Sequence, residues 1–242
     1  MEYKGAAVYD NDEFFDNYIT RRHRAESPNN SIEKPVLMEL MGDIAGKKVL
    51  DLGCGDAEFG VELLKQGCVF YEGVEGSLNM VQKAVSVLDR TTSKIHHSSM
   101  EAWDFPLDHY NLVVSRLALH YLENVEPVFK QIYNALTEDG LFVFSVQHPI
   151  LTSSVQSATK SARTDWIVDD YFHTGKRVEP WIDEEVVKYH RTTEDYFKEL
   201  KNAGFTIEEL SECSPRRENF KSDEEYARRM RIPLFLIFAC SK

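Results

Sequence analysis

The sequence predicts an α/β fold in which a mostly parallel sheet is covered by helices on both faces. The first observation is a short apolar strand, Val49 to Leu52, that runs into a glycine turn with a helix start behind it. The second is the alternation of apolar strands and helices that continues to about residue 147. The length of 242 residues suits one large domain with a full hydrophobic core.

Composition and charge restrict the partners of the chain. Hydrophobic residues make up 43% and charged residues 28%, which are ordinary values for a soluble globular protein. The chain has 28 Lys plus Arg and 40 Asp plus Glu, and its formal net charge of −12 repels phosphate backbones, so DNA and RNA are disfavoured as partners. No charged start leads into an apolar core, and no apolar stretch approaches the roughly 18 residues of a membrane span.

The cysteines indicate a reducing compartment. Their positions, 54, 68, 213 and 240, show no paired spacing of the kind that metal ligands have. Free thiols in a cytoplasmic protein without a metal site fit this pattern best.

Residues 1 to 45, here called the lid segment, precede the first strand, and residues 1 to 30 of this segment are polar and aromatic. Arg21 and Arg22 follow its aromatic residues, which are Tyr3, Tyr9, Phe14, Phe15 and Tyr18. Two interpretations stay open, a helix packed on the domain and a lid over a bound ligand. A second helix, from about Ser31 to Met41, leads to the first strand.

The glycine turn is the first candidate binding site. Gly53 and Gly55, with Cys54 between them, remove two Cβ atoms where the chain turns sharply and a ligand approaches the backbone. Such a turn places the ligand at the carboxyl edge of the sheet, beside the free N–H groups of the next helix. A dinucleotide turn needs a third glycine where this chain has Glu58, which counts against NAD. The Gly-Lys-Ser/Thr ending of a P-loop is also absent.

The next strand, Cys68 to Val74, ends in Glu75-Gly76-Ser77 about twenty residues after the turn, where nucleotide-binding α/β folds keep an acid for ribose hydroxyls. A carboxylate there can accept from both the 2′ and 3′ hydroxyls. The alternative is that Glu75 only caps the helix from Ser77 to about Leu88.

Three further strands are predicted to end at the same edge of the sheet, at about Lys94 to Ser98, Tyr110 to Ser115 and Leu141 to Val146. His120 follows the fourth strand, and near pH 7 its neutral imidazole can take a proton from a hydroxyl group. The alternative is a structural histidine bonded to the backbone. His148 follows the fifth strand and is a second candidate for contact with a substrate.

Residues 148 to 191, here called the cap, interrupt the alternation of strands and helices. An insertion of about forty residues that is rich in Ser, Thr and aromatics is too long for a plain connection. Its composition fits a cover over an apolar pocket with a few polar groups. A helix from Thr192, a strand from Phe205 and a final apolar strand, residues 232 to 239, complete the chain.

These motifs together resemble the class I S-adenosylmethionine (SAM) dependent methyltransferases. The first family motif is an apolar pair, an acid, an apolar residue and Gly-x-Gly, and here Asp51 is the acid. The second motif follows its acid with Ser and then Met or Leu, as Ser77 and Met80 do here. The stretch from Tyr110 to Leu122 is similar to the fourth motif, and the resemblance covers nearly the whole chain in element order.

The resemblance implies a three-layer Rossmann-like methyltransferase fold with a seven-stranded, mostly parallel sheet. Its antiparallel last strand would lie between the fifth and sixth strands. The chain would then consist of the lid segment (1–45), a cofactor-binding core (46–147), the acceptor cap (148–191) and a C-terminal helix with strands (192–242).

The resemblance also implies the ligand and its contacts. If the lid segment covers the cofactor, Tyr18, Arg21 or Arg22 can reach the methionine carboxylate of SAM, since arginine offers a bidentate fork. The catalytic candidates are His120 and His148. The implied cofactor contacts are Tyr18, Arg22, Asp51, Gly53, Cys54, Gly55, Glu75, Gly76, Ser77, Met80, Ser99, Met100, Glu101, Ser115 and Leu117.

The predicted reaction is an SN2 transfer of the SAM methyl group to a small-molecule acceptor, with S-adenosylhomocysteine (SAH) as product, in a monomer or homodimer. The His-Pro at 148 and 149 and the aromatic cap are similar to the group that includes the ubiquinone and menaquinone biosynthesis methyltransferases. The alternatives are a SAM-binding regulator or inactive relative and, with less support, a NAD-dependent dehydrogenase. A protein acceptor is less favoured because a closed aromatic cap suits small molecules.

Overall fold

A computed structural model of the chain describes residues 2–22, 24, 27–89, 91–156 and 165–242. Its strands are β1 (Glu2–Lys4), β2 (Lys48–Leu52), β3 (Phe70–Glu75), β4 (Ser93–His97), β5 (Tyr110–Arg116), β6 (Leu136–Gln147), β7 (Gly175–Trp181), β8 (Glu184–His190), β9 (Thr206–Ser211) and β10 (Phe235–Ser241). Its α-helices are α1 (Asp12–Arg22), α2 (Lys34–Met41), α3 (Glu58–Lys65), α4 (Leu78–Val87), α5 (Glu126–Ala135), α6 (Pro149–Ser153), α7 (Thr193–Ala203) and α8 (Asp223–Arg229).

Seven strands form the central sheet, in the order β4-β3-β2-β5-β6-β10-β9. The five strands from β4 to β6 are parallel to their neighbours, whereas β10 runs antiparallel to both β6 and β9. The predicted sheet, including the antiparallel strand inserted between the fifth and sixth strands, is confirmed. This topology brings the ends of β2, β3, β4 and β5 to one edge.

The apolar run of β2 is buried because helices cover both faces of the sheet. Val49 faces a core that includes apolar side chains of α2, α3 and α4. Leu50 and Leu52 face a second core, to which α5 and α7 contribute. Side chains on a strand alternate between faces, so a strand that is covered twice becomes apolar throughout.

A second, three-stranded sheet joins the two ends of the predicted cover. Its order is β1-β8-β7: β7 and β8 form an antiparallel hairpin of the cap, and β1 of the lid segment pairs parallel with β8. The sequence analysis assigned helix to the lid segment and did not predict this strand. Residues 157–164 of the predicted cap lie outside the described residues.

The lid segment is also attached to the first turn of α4. The Asp10 carboxylate accepts from the Ser77 hydroxyl (2.7 Å) and the Asn79 N–H (3.2 Å), and the Asn79 amide donates to the Tyr9 carbonyl (3.1 Å). The lid segment therefore connects the cap to the edge of the central sheet. Over the described ranges, no helix combines the length and the apolar character needed to cross a bilayer.

Candidate active site

The carboxyl edge of the central sheet, the lid segment and the cap together line a partly open cavity of about 750 Å³. A smaller cavity of about 280 Å³ shares five of its lining residues with it: Tyr18, Arg22, Gly53, Gly55 and Arg116. The combined space is in the range of small-molecule and cofactor sites.

The turn after β2 requires glycine for two separate reasons. Gly53 has a φ of +76°, and a Cβ atom there would lie 2.5 Å from the Ala118 Cβ and 2.9 Å from the Met100 Cε. Gly55 has a φ of +57°, and a Cβ atom there would lie 4.0 Å from the Met80 Sδ, which is an ordinary contact. Ala57 also adopts the left-handed conformation, with a φ of 56°, where the turns of the resembled family carry a further glycine. The two glycines expose their backbone to the cavity, and Cys54 lines the smaller cavity.

Glu75 lies at the end of β3 and lines the large cavity, although it is only 6% exposed. Its two carboxylate oxygens accept from the Gly55 N–H (2.9 Å) and the Ser77 N–H (2.8 Å). Burial raises the pKa of Glu75, while hydrogen bonds from the backbone of Ser77 and Gly55 act in the opposite direction. Each oxygen can accept a further bond, so capping and ribose recognition are compatible.

The residues next to Glu75 are placed differently from one another. Gly76 and Met80 line the large cavity. The Ser77 side chain instead caps α4 by accepting from the Met80 N–H (3.2 Å), and its hydroxyl donates to Asp10. The Ser77 side chain therefore stabilises the start of α4 and its contact with the lid segment, and it does not itself line the cavity.

Among the described residues, two buried polar atoms beside the smaller cavity have no hydrogen-bond partner. Asp51 accepts from the Tyr71 hydroxyl through Oδ2 (2.7 Å), but its Oδ1 is buried without a partner, as is Nη1 of Arg22. Both residues line the smaller cavity with Tyr18, whereas the neighbouring Arg21 is exposed. Such buried atoms normally have partners, so this end of the site fits a ligand with one ammonium and one carboxylate group.

Burial raises the pKa of the Asp51 carboxyl to about 6, against the hydrogen bond from Tyr71 and the positive charge of Arg116. The ordinary value is 3.8, so between these values the folded protein holds more protons than the unfolded chain. Stability of the ligand-free protein therefore falls as the pH rises through this range, by about 3 kcal/mol at about 1.4 kcal/mol per pH unit.

Asp51→Asn is expected to remove this part of the pH dependence. The free energy of unfolding of the variant, relative to wild type, should increase by up to about 3 kcal/mol between about pH 4 and pH 7. Urea unfolding of both proteins across that range provides the measurement. Parallel stability curves would contradict the raised pKa.

The loop after β4 contributes the predicted residues Ser99, Met100 and Glu101 to the wall of the large cavity. Trp103, for which a core position and a position over the ligand ring were both possible, packs in the core against Phe105, with ring centroids 4.7 Å apart.

At the end of β5, Ser115 does not reach the cavity as predicted, and Arg116 reaches it although the sequence analysis did not predict this. Ser115 is fully buried, donates to the Leu52 carbonyl (2.8 Å) and is not among the residues that line either cavity. Side chains alternate along the strand, so Arg116 faces both cavities instead; it donates to Glu33 (3.2 Å) and lies over the Phe59 ring (4.4 Å). Arg116 could have been identified from the sequence, because it is a cationic residue at the end of a central parallel strand. Leu117 lines the large cavity with a φ of 56°, a strained value for leucine.

The structure places the two candidate histidines in different surroundings. His120 is 4% exposed and lines the large cavity, and its Nδ1 accepts from the Gln147 N–H (3.4 Å). The pKa of His120 lies well below its usual range because of burial and the charges of Lys188 and Arg191, so the ring is neutral with its proton on Nε2. In this tautomer His120 is a hydrogen-bond donor rather than a base.

His148 is not among the residues that line the cavities, in contrast to its predicted position. Its Nδ1 accepts from the Ile150 N–H (3.2 Å) and caps α6, and its Nε2 lies 3.0 Å from Glu212. The helix that begins at Pro149 uses the imidazole as its N-cap, which turns the ring away from the site.

The end of the large cavity under the cap includes Tyr9, Trp181 and Lys188, which the sequence analysis did not assign as site residues, together with Tyr18, which it did. The rings of Tyr9, Tyr18 and Trp181 are in contact, with centroids 4.8 to 6.2 Å apart. Lys188 of β8 also lines this end and is buried in an ion pair with Glu179. Successive side chains of β8 point to opposite faces, and the sequence alone did not indicate which face lines the cavity.

Comparison with known proteins agrees with this geometry. The sequence profile of a family described as a methyltransferase domain matches residues 22–210. A Haemophilus influenzae protein described as uncharacterized is 31% identical over 217 residues, which cover 85% of each chain. A SAM-dependent methyltransferase from Mesorhizobium loti has a TM-score of 0.80 at 29% identity and covers 91% of this chain and 99% of its own. A Listeria monocytogenes structure described in the same terms has a TM-score of 0.78 at 30% identity, covering 87% and 96%.

The fold and the site thus define an enzyme of the Rossmann-like SAM-dependent methyltransferase class. The chain belongs to the methyltransferase-domain family, since the match spans most of its length. Its cofactor is SAM, as the motifs of the sequence predicted.

Proposed function

We propose that the enzyme methylates a small molecule that binds between the cofactor and the cap. The observation that carries this proposal is the large cavity, which is walled by the glycine turn on one side and by the lid segment and cap on the other. A covered cavity with aromatic walls suits a small acceptor better than a protein side chain. The net charge of −12 disfavours nucleic acid. The proposed compartment is the cytoplasm, in keeping with four buried free thiols.

The residues of the site fit SAM along its whole length. Asp51 and Arg22 would take the ammonium and carboxylate of the methionine part, and Glu75 the ribose hydroxyls. The loop at Ser99 to Glu101 would border the adenine. When bound, SAM supplies a methyl group already activated by a sulfonium.

The chain itself would contribute alignment and exclusion of water, which suffice for a reactive donor. Tyr9 and Trp181, which line the large cavity but not the smaller one, would pack against the acceptor. His120 would orient the acceptor by donating from Nε2. Proton removal from the acceptor then requires no residue of the chain to act as a base.

Methyl-labelled SAM tests the proposal. The purified protein is incubated with it and with a cell extract that has been separated into small-molecule and macromolecular fractions. We expect label in the small-molecule fraction, and much less of it with Glu75→Gln at the same SAM concentration. Label on protein or nucleic acid would contradict a small acceptor. Tight SAH binding without transfer to either fraction would favour the alternative, an inactive relative.

The two neighbouring arginines of α1 provide a matched test of the methionine end. Arg22→Met is expected to weaken SAH binding about tenfold or more, because it removes a charged hydrogen bond in a buried place. Arg21→Met removes the same charge from the exposed neighbour and should change the affinity little. Isothermal titration measures both, and equal losses would contradict the assignment of Arg22.

A further inference from the structure

Lys188 is a buried cation at the end of the large cavity under the cap. Its ammonium is bonded to the Glu179 carboxylate and donates to the Gln147 side-chain carbonyl (3.1 Å). It also lies over two aromatic rings, at 5.2 Å from the Trp181 centroid and 5.9 Å from that of Tyr121. An ammonium has three N–H donors, so one remains after these two hydrogen bonds.

A structural ion pair alone does not account for this position. The desolvation free energy of a buried lysine and glutamate is about as large as the energy of their attraction, so such pairs contribute little to stability. The Lys188 side chain is 8% exposed and that of Glu179 13%, yet both line the cavity rather than the core. The pair therefore presents a donor to whatever molecule occupies this end.

The same arrangement argues against a cationic acceptor. The aromatic faces of Trp181 and Tyr121, which would otherwise attract a substrate ammonium, already carry the ammonium of Lys188. Glu179 is already paired with that ammonium. A positively charged acceptor would have to compete with Lys188 for both partners.

The surroundings of Lys188 favour an anionic oxygen instead. His120 lines the same end and donates from Nε2, since its Nδ1 accepts from the backbone. Burial, and then the charges of Lys188 and Arg191, hold the pKa of His120 well below its usual range, so the ring is neutral and keeps its Nε2 proton as a donor. The carboxylate of the cofactor has its own partner, Arg22, at the other end.

We propose that Lys188 selects the acceptor by binding an anionic oxygen, as found in a carboxylate or an ionised aromatic hydroxyl, on a molecule whose apolar body packs against Trp181 and Tyr121. His120 donates to the same oxygen or to one beside it. This assignment rests on the proposed function, since it places the acceptor in the cavity next to the cofactor.

Matched probes test this assignment on the full chain saturated with SAH. Isothermal titration compares benzoate with benzamide and benzylamine, which share the ring and differ in charge. We expect benzoate to bind about tenfold more tightly than either, the value of one charged hydrogen bond. Lys188→Met should remove the preference, and Lys188→Arg should retain part of it. Lys176→Met is the control, because Lys176 lies on the adjacent strand in an exposed ion pair with Glu2.

Glu179→Gln best separates a binding role of Lys188 from a purely structural ion pair, because this variant is expected to bind benzoate more tightly, whereas Lys188→Met is expected to bind it more weakly. Removing the competing carboxylate should tighten benzoate binding, whereas a purely structural pair would give only a less stable protein with no gain in affinity. SAH binding without a benzoate preference, or with equal affinity for benzylamine, overturns this inference alone. Absence of SAH binding by the wild-type protein overturns the proposed function and this inference with it.

Discussion

Gly53→Ala is expected to lower the free energy of unfolding by about 2 to 5 kcal/mol and to abolish measurable SAH binding. About 1 to 2 kcal/mol comes from placing a Cβ atom at a φ of +76°. The remainder comes from the collision of that atom with Ala118 and Met100, which has to displace the wall of the cavity. Denaturant unfolding and isothermal titration with SAH provide the measurements.

Gly46→Ala separates the two causes. Gly46 has almost the same φ, +75°, but a Cβ atom there would meet no other atom within 4 Å. It lies in the turn before β2 and is not among the residues that line the large or the smaller cavity of the site. This variant should show only the conformational cost of about 1 to 2 kcal/mol and bind SAH normally. Equal changes in the free energy of unfolding and in SAH affinity for the two variants would show that the collision of a Cβ atom at Gly53 with Ala118 and Met100 has no effect.

Glu75→Gln is expected to weaken SAH binding by about ten- to a hundredfold. The amide can accept through only one of its end groups, so either the Gly55 N–H or the Ser77 N–H loses its acceptor, and the ribose hydroxyls lose a charged partner. Because the Gly55 N–H orders the glycine turn, the loss also reaches residues that do not contact the ribose. Isothermal titration of the folded variant measures the effect.

Glu72→Gln is the matched control on the same strand. Glu72 is 8% exposed, accepts from the Tyr110 hydroxyl (2.7 Å), and is not among the cavity-lining residues. Its substitution should lower stability while leaving the affinity for SAH close to that of wild type. A loss of SAH affinity as large as that of Glu75→Gln would mean that Glu75 acts only through the sheet.

The cofactor half of the site was predictable because its chemistry is local in sequence. Asp51 and the two glycines lie within five residues at the end of the first strand, and Glu75 follows at the end of the adjacent strand. The positions of these groups are fixed by the backbone conformation of the turn and by the pairing of adjacent strands. Both can be predicted from the sequence, the first from the glycines and the second from the order of the apolar strands. Ser115 was predicted at the edge but lies behind it, since the side-chain alternation of β5 brings its neighbour Arg116 to the cavity.

The acceptor half was not predictable at the level of residues because its contacts are distant in sequence. The pairing of β1 with β8 joins residues more than 180 positions apart, such as Glu2 and Glu185. Lys188 meets Gln147 of the central sheet and Trp181 of the adjacent strand only after the cap has folded. For His148 the local signal was misleading, since a histidine before Pro149 serves equally well as a helix cap.

A crystal structure of the SAH complex tests the central claim most directly, because the two ends of the site offer different partners to the ligand. We expect the SAH carboxylate at Arg22, its ammonium at Asp51 and its ribose hydroxyls at Glu75, with the space beside Lys188 left for the acceptor. An SAH carboxylate bound at Lys188, or an adenosine outside the cavity, would contradict this account.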